Sequence, residues 1–85
     1  EFDIVSSSFR LDSLVAKITN KSRSKVKEFL EQEFIKLNHS VIKNGEKNCV
    51  NGDVISIRRY GRFILKEHTQ NKKSLKYRIK VLKLV

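Results

Sequence analysis

The sequence predicts an α+β domain, with two N-terminal helices packed on a small curled antiparallel sheet of four to five strands. Three observations lead there. Leu11, Leu14, Val15 and Ile18 recur at i, i+3, i+4 and i+7, the spacing of one helical face. Val26, Phe29 and Leu30 make a second, shorter face of the same kind. After Glu33 the period falls to two. It is cleanest in LKYRIKVLK, where Leu75, Tyr77, Ile79 and Val81 alternate with Lys76, Arg78 and Lys80.

Taken in order, residues 1–9 are expected to be extended or irregular, with a run of three serines at Ser6, Ser7 and Ser8. The first helix breaks at Asn20 and Lys21. Ser22 is the expected N-cap of the second helix, with Ser24 the other candidate. FIKLN reads as a short strand and SVIK as its partner, joined by a tight turn at Asn38-His39-Ser40. KNGEKNCVNGD is a loop, marked by Asn44-Gly45 and Asn51-Gly52. VISIRRYGRFILKEH reads as one long strand, with Gly61 as a bulge or a close backbone approach. TQNKKS is a turn, and the last strand slips its alternation at Leu82, where a bulge or the strand end is expected.

Eighty-five residues make one domain with a modest core, burying roughly 60% of its unfolded surface. The single cysteine, Cys49, excludes an internal disulfide and fits a reducing, cytoplasmic setting. No apolar run is long enough for a membrane-spanning helix, and no segment resembles a signal peptide. The chain has no methionine and opens on EFDIV, so a fragment of a longer protein is expected.

Charge is the strongest global signal. Nineteen Lys and Arg stand against nine Asp and Glu, a net charge of +10. Such an excess suits a polyanionic partner, nucleic acid first and an anionic membrane second; the plain alternative is a soluble basic protein. The excess is uneven. From Val54 onward the cations are Arg58, Arg59, Arg62, Lys66, Lys72, Lys73, Lys76, Arg78, Lys80 and Lys83, against Glu67 as the sole acid.

Four motifs in order, Arg10-Leu11-Asp12, Ser22-Arg23-Ser24-Lys25-Val26, Ile35-Lys36-Leu37-Asn38 and Gly52-Asp53-Val54-Ile55, resemble the S-four RNA-binding domain, named after ribosomal small-subunit protein four. The resemblance covers about residues 9–58 and leaves 59–85 as basic C-terminal strands. VSSSFRLD and RRYGRFIL narrow it to the YlmH-like bacterial RNA-binding proteins, in which such a domain lies at the C-terminus. What the resemblance implies is an αL-type RNA-binding fold, a ribosomal RNA or ribosome–tRNA partner, and a monomeric cytoplasmic protein with no cofactor. Two positions depart from the pattern. His39 stands where the family has a turn glycine, and Glu33 where it has a glycine after helix two. Neither is expected to touch the RNA surface directly.

The residue chemistry fits that implication. A helix start carries unpaired N–H groups and partial positive charge, and attracts phosphate. Arg23, Lys25 and Lys27 concentrate further positive charge there, beside Lys21 and the hydroxyls of Ser22 and Ser24. The competing reading is an N-cap with a solvated basic face. Arg10 could reach the same groove or be engaged by Asp12 or Glu28. Asp12 reads as a carboxylate favouring the start of helix one. Lys36 and Asn38 fall beside the RNA face by the resemblance, although Asn38 also suits a turn. On a continuous strand Ser56, Arg58, Tyr60 and Arg62 share one side, which would interleave arginine with an aromatic as base stacking requires. Tyr60 and Phe63 equally suit packing. Lys76, Arg78 and Lys80 read as a solvated strand edge.

No catalytic constellation is legible. Cys49, His39 and His68 lack metal-ligand spacing, and no glycine-rich phosphate loop precedes a helix. A binding module is therefore expected, not an enzyme. The alternatives are a protein-docking module with a basic surface and the RNA-targeting domain of a modification enzyme whose catalytic domain lies elsewhere.

Overall fold

The computed structural model describes residues 1–84. The elements run β1 (Phe2–Ser6), α1 (Leu11–Thr19), α2 (Arg23–Glu31), β2 (Ile35–Leu37), β3 (Ser40–Val41), β4 (Val54–Ile57), β5 (Gly61–Gln70) and β6 (Tyr77–Leu84). The strands form one sheet in the order β1-β6-β5-β4-β2-β3, with every pairing antiparallel. The α+β class holds, but the sheet has six strands where four to five were expected. The extra pairs come from two places. Phe2–Ser6 is an edge strand on β6, with Ile4 opposite Ile79. The expected long strand from Val54 is a hairpin, because Arg58, Arg59 and Tyr60 turn the chain. Arg59 takes φ 76° and Gly61 φ 117°, so Gly61 opens β5 instead of bulging within a strand. The irregularity in this region lies in β5, between Leu65 and His68, and β6 keeps its register through Leu84.

The core follows the periodicities. Leu11, Leu14 and Val15 of α1 and Val26, Phe29 and Leu30 of α2 are buried with Ile35, Leu37, Ile55, Ile57, Phe63, Leu65, Ile79 and Val81. Strand residues of opposite parity form the outer face, where Lys36, Ser56 and Arg62 stand in one cross-strand row. Leu75, expected on the inner face of the last strand, lies in the preceding turn at φ 61° and is exposed.

Both departures from the family's glycines are absorbed by non-glycine residues in the left-handed region. Asn38 and His39 take φ 50° and 75° and close the two-residue β2–β3 turn. Glu33, at φ 60°, ends α2: its N–H donates to Leu30 O and the Phe34 N–H to Phe29 O. This is a Schellman closure, and the stacked rings of Phe29 and Phe34 supply its apolar contact.

Candidate nucleic-acid interface

The start of α2 is built as a capped helix end. Ser22 Oγ accepts from the Lys25 N–H at 3.2 Å, and Ser22 O accepts from Val26 N. No acidic residue occupies the first turn. One of the four orphan amides is therefore satisfied internally, and the remaining end faces outward with its partial positive charge. The start of α1 differs. Its first amides are taken by the loop, Leu11 N donating to Lys47 O and Asp12 N to Gly45 O. Gly45 has no room for a side chain, since a Cβ there would lie 2.8 Å from Asp12 Cβ and 2.9 Å from Leu30 Cδ1.

Asp12 joins the two helix starts. Its carboxylate accepts from Arg10 Nη2 at 2.9 Å, from the Ser13 N–H at 2.7 Å and from Arg23 Nη2 at 3.4 Å. Burial opposes its ionisation most, yet the Arg10 hydrogen bonds, the Ser13 amide and the two guanidinium charges together outweigh it. The carboxyl is held below its ordinary value. The same hydrogen bond with Asp12 raises Arg10 above its already high value. Arg10 also lies 3.7 Å from Glu46. Of the two readings for Arg10, its side chain occupies the ion pair with Asp12. Arg23 is less committed. It donates to Ser13 Oγ at 2.9 Å and its side chain stays 64% exposed.

The twelve sequence-predicted residues do not form one patch. Arg10, Arg23, Ser24 and Lys27 line one groove with Lys43 and Glu46. Lys21, Ser22 and again Arg23 line a second groove, on the α1 side. Lys25 turns from both, 3.8 Å from Glu28 and over the Phe29 ring. Lys36, Arg58, Tyr60 and Arg62 border a third groove with Phe34 and Arg59. The one-sided row of Ser56, Arg58, Tyr60 and Arg62 does not exist as such, because residues 58–60 are a turn. Only Ser56 and Arg62 share a face, across the β4–β5 pair. The Arg58 guanidinium lies 5.1 Å from the Phe34 ring centre, and Tyr60 packs 6.1 Å from Phe29. Glu33 and His39, expected away from this surface, border the same third groove. Asn38 is engaged in the fold: its amide donates to Asp53 at 3.0 Å and its oxygen accepts from Val54 N at 2.9 Å.

Sequence reasoning missed Lys17, Lys76 and Arg59 as groove residues. The signal for Lys17 was present, since Ser13, Lys17 and Asn20 fall at i, i+4 and i+7, away from the buried Leu11, Leu14 and Val15. Cys49 is buried, and burial pushes its thiol up to about 12. Among the described residues no group of three His, Cys, Asp or Glu is placed to hold a metal, and no helix is long and apolar enough to cross a membrane.

No protein-family model matches the sequence. The chain is 32% identical over 73 residues to the ribosome-associated protein quality control protein P2 of Bacillus subtilis, a match covering 86% of this chain and 28% of that protein. Its fold is similar to a crystal structure of pseudouridylate synthase, with a TM-score of 0.59 and 25% identity over 69% of this chain and 24% of that one. The chain thus spans about a quarter of the length of each of these two proteins.

Proposed function

We propose that this domain binds structured RNA in the cytoplasm, as ribosomal RNA or a ribosome–tRNA complex, through the basic surface at the start of α2. The observation that carries this reading is the start of α2, where cations outnumber the two nearby carboxylates, Asp12 and Glu46. Arg23, Ser24 and Lys27 surround a helix start with no acid in its first turn, on a chain of net charge +10. Two of the four segments that resemble the S-four domain, 10–12 and 22–26, fall at the starts of α1 and α2, and the similarity to a ribosome-associated protein supports the ribosome as the setting. The third groove adds arginine beside half-buried aromatics, a combination suited to an unpaired base.

Cosedimentation with purified bacterial ribosomes at rising salt tests the proposal. The domain is expected in the ribosomal pellet at ~0.15 M salt and released as salt rises, since each phosphate contact contributes to a linear fall of log affinity. A domain that stays in the supernatant and also fails to bind an isolated ribosomal RNA hairpin overturns it. A second reading, an RNA-targeting module of a modification enzyme, draws on the similarity to the pseudouridylate synthase structure. It predicts hairpin binding without ribosome binding. Under either reading, chemistry would reside outside these residues.

A further inference from the structure

The groove on the α1 side differs in its lining from the two other grooves described above, which carry Asp12 and Glu46 or Glu33. It encloses about 630 Å³ between the end of β1, the outer stripe of α1 and the turn before β6. Lys17, Lys21, Arg23 and Lys76 line it, and no carboxylate does. The groove at the start of α2, by contrast, contains Asp12 and Glu46 among its cations. Lys17, Lys21 and Lys76 stand in no ion pair among the described residues, whose pairs draw on Arg10, Arg23, Lys25, Arg78 and Lys80. Three unpaired lysines around one concavity, with Arg23 shared with Asp12 at its rim, repel one another, and an anion seated among them relieves the repulsion.

The fold, not chance proximity, gathers these charges. Ser13, Lys17 and Asn20 fall on the solvent stripe of α1, which its buried Leu11, Leu14 and Val15 turn outward. Pairing of Ser6 with Tyr77 brings Lys76 to the end of β1, and the Lys76 backbone is fixed by its carbonyl accepting from Asn71 N and its N–H donating to Ser74 Oγ. Arg23 borders both this groove and the one at the start of α2, so the two are continuous through a single guanidinium.

We propose that this groove is a track for the sugar–phosphate backbone of one unpaired RNA strand, running from the start of α2 past Lys17 to Lys76. The inference rests on the proposed RNA function and extends it. A single strand fits a cationic channel of this kind, which tracks the backbone. No aromatic side chain lines the groove, so the contact reads backbone and 2′-OH, not base identity. Ser7 and Asn20 supply neutral polar groups beside the lysines.

The test uses the whole chain and a ribosomal RNA hairpin, bare or carrying an unpaired extension of about eight nucleotides at its 5′ or its 3′ end. One extension is expected to raise affinity about tenfold whatever its base sequence. The Lys17→Gln/Lys76→Gln variant loses that gain and keeps the affinity for the bare hairpin. Its salt slope on the extended RNA falls by about 1.4, two phosphates at about 0.7 each. Lys66→Gln/Lys83→Gln removes the same charge outside the groove and keeps the gain. The proposal is overturned if neither extension helps, if the gain survives in the groove variant, or if both variants lose it equally. In those cases hairpin binding that still depends on Arg23 leaves the underlying RNA function standing. Failure of the wild-type chain to prefer the bare hairpin over heparin overturns both.

Discussion

Replacing Glu33 by glycine should stabilise this domain. Glu33 closes α2 at φ 60°, where a side chain meets its own carbonyl, at a cost of about 1–2 kcal/mol. Glycine removes that cost but brings a looser unfolded chain, which takes back about 0.4–1 kcal/mol. Glu33 is exposed and in no ion pair among the described residues, so nothing else is lost. The expected net gain is about 0.5–1 kcal/mol. In urea, with a slope of about 1 kcal/mol per molar for so small a domain, the midpoint should rise by about 0.5–1 M. Glu33→Ala is the necessary comparison. It makes the same change of net charge, from +10 to +11, but keeps a Cβ in the left-handed conformation. Its midpoint should stay within about 0.3 M of the wild type, or fall, as the added net charge increases self-repulsion. If the glycine variant is no more stable than the alanine variant, the Schellman closure of α2 is misread.

Leu30→Ala should destabilise by about 2–4 kcal/mol, read by urea unfolding, because this buried side chain packs against Gly45 of the loop as well as within the core. Asp12 ties stability to pH. Its folded pKa lies below the unfolded value of about 3.9, so its contribution is complete above that pH and lost as pH falls through the folded value. Asp12→Asn should therefore be about 1 kcal/mol less stable at neutral pH, with the difference from wild type vanishing at the acid end of a pH series of melts. Cys49, buried and raised to about 12, should react with a thiol reagent at pH 8 only as fast as the domain opens, and fully once unfolded in urea.

The helices were legible because their apolar residues repeat at helical spacing over a core that accepts them. Leu11, Leu14, Val15, Val26, Phe29 and Leu30 are all buried. Ile79 and Val81 were legible in the same way at period two. The missed elements lack such marks. Arg58-Arg59-Tyr60 contains no turn residue before Gly61, and its reversal depends on Arg59 at φ 76°. β1 follows from pairing with a strand some seventy positions away, which local pattern does not encode. The basic surface was legible in total charge but not in its partition. Asp12 engages Arg10, Glu28 lies beside Lys25, and Asn38 is taken by Asp53 and Val54. Lys76, read as a solvated strand edge, is exposed as expected, but it lies in the turn before β6 and also lines a groove with residues of α1, because antiparallel pairing brings the end of β1 to the start of β6.

The most direct test of the central claim is a salt titration of wild type and Arg23→Ala against three polyanions: a structured ribosomal RNA hairpin, a DNA duplex of equal charge, and heparin. RNA is expected to bind about tenfold more tightly than either competitor at ~0.15 M salt, and Arg23→Ala to remove that margin while the domain stays folded, a loss of about 1.4 kcal/mol. Equal binding of all three polyanions, or an RNA margin that survives the loss of Arg23, would contradict an RNA site at the start of α2.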